Sequence, residues 1–213
     1  MPEHMTLIDM LLSRLFHDLI SPVSATVNGA ELISDLGGNG SELEQEALAL
    51  IGTSARQASE RLSFFRVAFG GAGSNTDHSL ADGAKLAAPY LKARKIDFSL
   101  DCPVDPKLVR PASGGIKVLL GLICFMCECL PRGGSISLVS AGEQGGHFEL
   151  MAEGVGANVP DDIRAALDLG IPTSDLTSKS VVAHVAAVNA ERFGYGIAVE
   201  EETGRVKVDV NFT

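Results

Sequence analysis

"LFHDLISPVSATVNG", residues 15–29, decides how the first third of the chain is read. Leu15, Leu19 and Val23 recur at helical spacing, and outward in both directions the same stripe takes in Ile8, Leu12, Ala30 and Ile33. The spacing predicts one helix over residues 5–36. On a wheel turning about 100° per residue, Met10, Ser13, Arg14, Ser21, Ser24 and Asn28 share the side of His17, opposite the apolar stripe. His17 is therefore expected to face water, as an ordinary surface histidine would. Pro22 argues for more. A proline inside a helix removes one hydrogen bond and clashes with the preceding turn, at a cost of about 3 kcal/mol. The carbonyl it strips of its partner is that of Asp18, next to the imidazole. Strain placed beside an exposed imidazole is a pointer to function. Asp18 is the residue that would polarise the ring, holding one nitrogen protonated and leaving the other as nucleophile.

After this helix, "GGNG" (37–40) suits a helix end and a reversal, and Ser41 with Glu44 forms a capping box for a second helix. That helix carries Leu43, Ala47, Leu50, Ile51, Ala55, Ala58, Leu62 and Phe65 before "GGAGSN" interrupts it. Each helix would be roughly 30 residues and about 45 Å long. A lone pair of such helices cannot cover its own apolar stripes. A second copy can, giving a four-helix bundle across a two-fold axis, so a homodimer is expected.

Beyond a linker at about residues 70–76 the pattern changes. "HSLADGAKLAAPYLKARK" reads as a helix, "IDFSLDC" as a strand, and "SGGIKVLLGLICFMCECL" as a buried helix. "PRGG" leads into the strand "SISLVSA", which a Gly-rich turn pairs with "GGHFELMAE". Two further helices, "DDIRAALDLG" and "SKSVVAHVAAVNAERFG", precede a hairpin of "YGIAVEEE" and "RVKVDVNF". The class is α+β. A helical hairpin domain, 1–70, is expected to precede an open α/β sandwich, 77–213.

Charge and composition exclude several roles. Seventeen Lys and Arg against 27 Asp and Glu leave a net charge of -10 with no segregated basic patch, which argues against nucleic acid as a partner. Trp is absent, and aromatics are too few for base-stacking platforms. No apolar run approaches the roughly 18 residues of a membrane span, so no membrane association and a cytoplasmic location are expected. Cys124, Cys127 and Cys129 would need distant His147 to complete a zinc site; they read better as small core residues in a reducing compartment. No resident metal or cofactor is expected.

The run "FHDLISPV" resembles the H-box of sensor histidine kinases: histidine, acid, a gap of two, small hydroxyl, proline. Over a longer stretch, "HDLISPVSATVNGAEL" is similar to the first helix of ChpT-type bacterial histidine phosphotransferases, and the order of helical hairpin then α/β sandwich is shared. The resemblance implies that His17 carries a phosphoryl group between receiver-domain aspartates, with Asp18 orienting it. Arg14, Ser21, Ser24 and Asn28 are then the polar surface, and Met10 and Ile20 the apolar flanks, that a receiver would meet. It also implies as partners the receiver domains of a hybrid histidine kinase and of response regulators, with Mg²⁺ supplied by the receiver.

The kinase pattern also tests the second domain. Where a kinase has two asparagines before the "GG" turn, this chain has Gly121 and Phe125, and phenylalanine offers a hard cation no oxygen. In the stretch "AEGVG", Ala152 stands where the adenine-reading acid is expected. "TSDLTSKS", before the long helix, has no glycine for a phosphate loop. The reading is a degenerate ATPase-like domain that binds no ATP. A divergent active sensor kinase, or a non-catalytic adaptor that docks receivers, are the alternatives.

Overall fold

The computed structural model describes residues 3–37, 40–74, 78–140 and 147–212. Positions 38–39 of the expected first reversal, 75–77 at the expected linker, and 141–146 in the expected strand-to-strand turn lie outside the described residues. Helix α1 (Glu3–Leu36) keeps running through Pro22, and α2 (Glu42–Ala68) returns beside it. Ser41 caps α2, its hydroxyl accepting the Glu44 N–H at 3.3 Å. The Glu44 carboxylate reaches one residue further back than a closed capping box requires and accepts the Gly40 N–H at 2.6 Å. Glu42 and Glu44 in the first turn also suit the positive end of the helix dipole. Where the helices are closest there is no room for a side chain: a Cβ on Gly29 would sit 2.7 Å from Ile51 Cγ1 and 3.2 Å from the Ala47 carbonyl.

The second half begins after a single 3-10 turn (Gly71–Gly73). Its elements are α3 (Leu80–Lys92), β1 (Ile96–Asp101), α4 (Gly115–Glu128), β2 (Gly134–Ser140), β3 (His147–Glu153), α5 (Asp161–Leu167), α6 (Ser180–Phe193), β4 (Tyr195–Glu202) and β5 (Arg205–Phe212). Here the capping box closes: Ser79 and Asp82 exchange hydrogen bonds at the start of α3, and these hold the Asp82 carboxyl below its usual range. The five strands form one sheet in the order β1-β2-β3-β5-β4. Only β1 and β2 are parallel, α4 making the crossover between them, and both expected hairpins, β2–β3 and β4–β5, are antiparallel.

Alternation along the strands decides which face is dry. Ile136, Leu138, Phe148, Leu150, Ala152, Val206, Val208 and Val210 point to the helices and are buried. The other face carries Glu149, Lys207 and Asp209, with Lys207 3.0 Å from each of the two acids. Helix α4 is buried from Gly115 to Met126, which explains why its sequence shows no polar face. Its cysteines turn to separate neighbours, Cys124 Sγ donating to the Tyr90 hydroxyl and Cys129 Sγ to the Phe125 carbonyl, both at 3.5 Å. Burial pushes the Cys124 thiol up to about 11, so it stays protonated and packs as a small apolar residue.

His184 of α6 is only 8% exposed. Its Nδ1 has no hydrogen-bond partner among the described residues. Burial lowers its pKa, against a smaller opposing effect from a hydrogen bond to the Ala166 backbone. The neutral ring is thus the folded form, and the unfolded chain binds the extra proton near its ordinary pKa of about 6.5. Stability from this residue is present above that pH and is lost as pH falls through the lower folded value. Urea midpoints should drop between pH 7.5 and 5.5, and His184→Leu should flatten the drop; an equally steep drop in the variant would assign it to other groups.

Candidate functional site

His17 stands where the wheel places it, with 85% of its side chain exposed. Asp18 lies beside it but makes no hydrogen bond to the ring. Its side chain is only 11% exposed and turns to the second half of the chain, where Arg94 pairs with Oδ2. The separation between His17 Nδ1 and Asp18 Oδ1 is 3.7 Å, too long for a hydrogen bond. Asp18 thus anchors the turn of helix that carries the imidazole, and the ring is left to solvent. This revises the expectation that the acid orients the ring by direct contact.

The carbonyl that Pro22 deprives of its helical donor is not left bare. Arg61 Nη1, from α2, donates to the Asp18 carbonyl oxygen. A buried carbonyl without a partner is costly, and a guanidinium from the neighbouring helix is a charge-assisted replacement. The proline therefore serves as an opening through which α2 grips α1 beside His17.

Arg14, one turn before Asp18, makes the third attachment. Its Nη2 meets Glu128 Oε1 of α4 at 2.6 Å and its Nε lies 3.8 Å from Asp18 Oδ2. Its side chain is 15% exposed, so it lies beneath the second half of the chain rather than on the open face expected for it. The neighbouring carboxylates of Glu128 and Asp18 outweigh its burial and raise its pKa. Met10 is half-buried and packs against the buried core, which takes in the end of α2 as well as the second half. Ser21, Ser24 and Asn28 are exposed, as is Ile20 at 65%. Phe16, at 63% exposed, is a large apolar residue next to His17 that the wheel had not singled out. No group of three or more His, Cys, Asp or Glu that could hold a metal occurs among the described residues.

The site is therefore one outward imidazole on a helical turn fastened at three points: to α2 by Arg61, to the end of α3 by Arg94, and to α4 through Glu128. It offers a nucleophile with no acid or base within hydrogen-bond distance of it among the described residues. Such an arrangement suits transfer of a group that arrives already activated.

A family model, the histidine phosphotransferase C-terminal domain, matches residues 80–205. The chain belongs to this family. A relative from Brucella abortus (strain 2308), "Protein phosphotransferase ChpT", is 31% identical over 192 residues, which are 89% of this chain and 88% of that protein. A solved bacterial phosphotransferase superposes with a TM-score of 0.78 at 28% identity, over 96% of this chain and 95% of that one. The chain is a histidine phosphotransferase of a phosphorelay, and its partners are of the receiver-domain kind. The match to the family model lies wholly in the second half and does not include His17.

Proposed function

We propose that the phosphoryl group travels through His17, arriving from one receiver aspartate and leaving to another. The observation that carries this reading is an imidazole wholly open to a partner on a helical turn that is itself held at three points. An imidazole nitrogen lone pair attacks phosphorus, the bond from phosphorus to the aspartyl oxygen breaks, and its electron pair returns to the carboxylate. The return step reverses this. No proton transfer is required within either step, which accords with a histidine that has no base in contact. The receiver's acidic pocket brings the Mg²⁺ that offsets the charge on phosphorus, so this chain needs no metal or cofactor of its own. Phe16 and Ile20 give a docking receiver apolar surface along one side of His17, and Ser21, Ser24 and Asn28 continue it as polar contacts. The test is incubation with a panel of radiolabelled phosphorylated receivers, reading an acid-labile, base-stable label on this chain.

The reading includes the absence of ATP binding. Phe125 and Ala152 are both fully buried. Helices α4 and α6 are also pressed together: a Cβ on Gly121 would lie 3.2 Å from Ala186 Cβ. Tight apolar packing at these positions favours a phosphotransferase over a divergent kinase. Four free thiols, three of them in one helix and its cap, suit the reducing conditions of the cytoplasm.

The proposed assembly is a homodimer through α1 and α2. Ile8, Leu12, Val23, Val27, Leu43, Leu50 and Leu62 are exposed on the single chain, and an apolar groove of about 380 Å³ runs between Leu12, Phe65 and Phe69. Contiguous apolar surface of this kind is rare on monomers. The full chain should sediment as two copies at micromolar concentration, and Leu12→Glu combined with Leu62→Glu as one. A wild-type monomer would refute the bundle.

A further inference from the structure

Arg94 lies outside α1 by 76 positions in sequence from Asp18, yet it holds the carboxylate beside the candidate phosphoryl carrier. Its own conformation is fixed before it meets that carboxylate. The guanidinium lies over the Tyr90 ring with its carbon 3.8 Å from the centroid. Phe64 of α2 stacks on Tyr90 with centroids 3.9 Å apart and planes 3° from parallel. Arg94 Nη1 also donates to the Tyr90 carbonyl at 3.3 Å. A guanidinium stacked on a ring and hydrogen-bonded in this way has little rotamer freedom left to lose when it pairs with an acid.

The pair it makes crosses from the second half of the chain to the helix of His17. Asp18 has two other neighbours, the Arg14 guanidinium at 3.8 Å and the imidazole at 3.7 Å, and neither is within hydrogen-bond distance. Arg94 alone holds the carboxylate closely. Its side chain is 19% exposed and its charged end is taken up by Asp18, which leaves little of it for a receiver to touch.

We propose that Arg94 is a positioning residue for transfer through His17, acting by holding Asp18 and with it the helical turn that presents the imidazole. This rests on His17 being the phosphoryl carrier. In-line attack at phosphorus needs the nitrogen placed to within a fraction of an ångström, and a misplacement of about 1 Å can cost about a hundredfold in rate. An α1 turn relieved of Arg94 still has Arg61 and Glu128 as attachments, so the imidazole is loosened and not lost. The freed Asp18 carboxylate is also then able to close on Nδ1 and draw the ring toward the helix. Arg94 makes no bond to the phosphoryl group and takes no part in the bond exchange itself.

The test uses the full chain and a labelled phosphorylated receiver, with the rate of label transfer measured at saturating receiver and the affinity measured separately. Arg94→Ala should lower the saturated rate by about ten- to a hundredfold and leave the affinity within about twofold. Arg94→Lys, which keeps the charge but not the flat stack, should recover part of the rate. Asp18→Ala should show a loss of similar size, and the double variant should be no slower than either single one, because both remove the same attachment. Should Arg94→Ala fail to fold, Asp18→Ala leaves the aromatic stack whole and carries the test alone. An unchanged saturated rate in a folded variant, a loss confined to affinity, or additive losses in the double variant would each overturn the proposal. Label reaching His17→Ala as readily as wild type would instead overturn His17 as carrier, a different outcome in the same assay.

Discussion

His17→Ala should end phosphoryl transfer in both directions while leaving the fold intact. The two halves of that expectation have separate causes. The loss is complete because the described structure places no second nucleophile in contact with the imidazole, whose nearest charged neighbour is an acid at 3.7 Å. The fold is spared because 85% of the side chain is in water, and surface substitutions of this kind shift stability by no more than about 0.5 kcal/mol. Thermal melts of the two proteins should therefore overlay, and the labelled receiver should keep its phosphate in the presence of the variant. Label on His17→Ala would send the search to another acceptor on the chain. A receiver that binds the wild-type chain and passes it nothing would favour the adaptor reading.

Phe125→Asn should destabilise the fold severely and bring no nucleotide binding with it. The substitution introduces the amide that a nucleotide site would want at this position. Here the ring is fully buried in α4, a helix buried from Gly115 to Met126. Losing a large buried ring costs about 3–5 kcal/mol. Burying an amide with no partner adds about 1–3 kcal/mol. Together they approach the whole stability of an ordinary domain, about 5–15 kcal/mol. The variant should unfold at much lower urea than wild type or fail to accumulate, and calorimetric titration of either protein with millimolar ATP and Mg²⁺ should show no saturable heat. A well-folded variant that binds ATP would mean that α4 faces a latent site and would revive the kinase alternative.

Much of this architecture could be read along the chain because the signals are local. The period of apolar residues in α1 and α2, the alternation in the strands, and Ser41 and Ser79 ahead of their helices all act within a few positions. His17 was legible for the same reason, since exposure on a long helix follows from its wheel. Its supports were not. Arg61, Arg94 and Glu128 reach Asp18 and Arg14 from 43, 76 and 114 positions away, and nothing near them in sequence marks them as part of a site. Arg14 and Met10 were read as open surface because the wheel distinguishes only the stripe facing α2 from the rest. The second half of the chain covers a further sector of α1 that a two-helix picture leaves wet. Asp18 was given to the imidazole because it is its neighbour in sequence, but successive residues on a helix diverge by about 100° and do not face each other. Pro22 gave the one usable hint: it announced a carbonyl in need of a donor without saying which donor would come.

That carbonyl also fixes how far along each other the two helices lie. Arg61 reaches Asp18 at one place, and Gly29 admits the Ala47 backbone and Ile51 at another, so α1 and α2 engage like a key cut at two depths. A slide of one turn, about 5.4 Å, would bring a side chain to the place of the glycine and leave the Asp18 oxygen bare again. Axial sliding of this pair is thereby opposed at both ends of the contact. His17 is therefore presented from a helix whose axial position against its neighbour is set at two separate places.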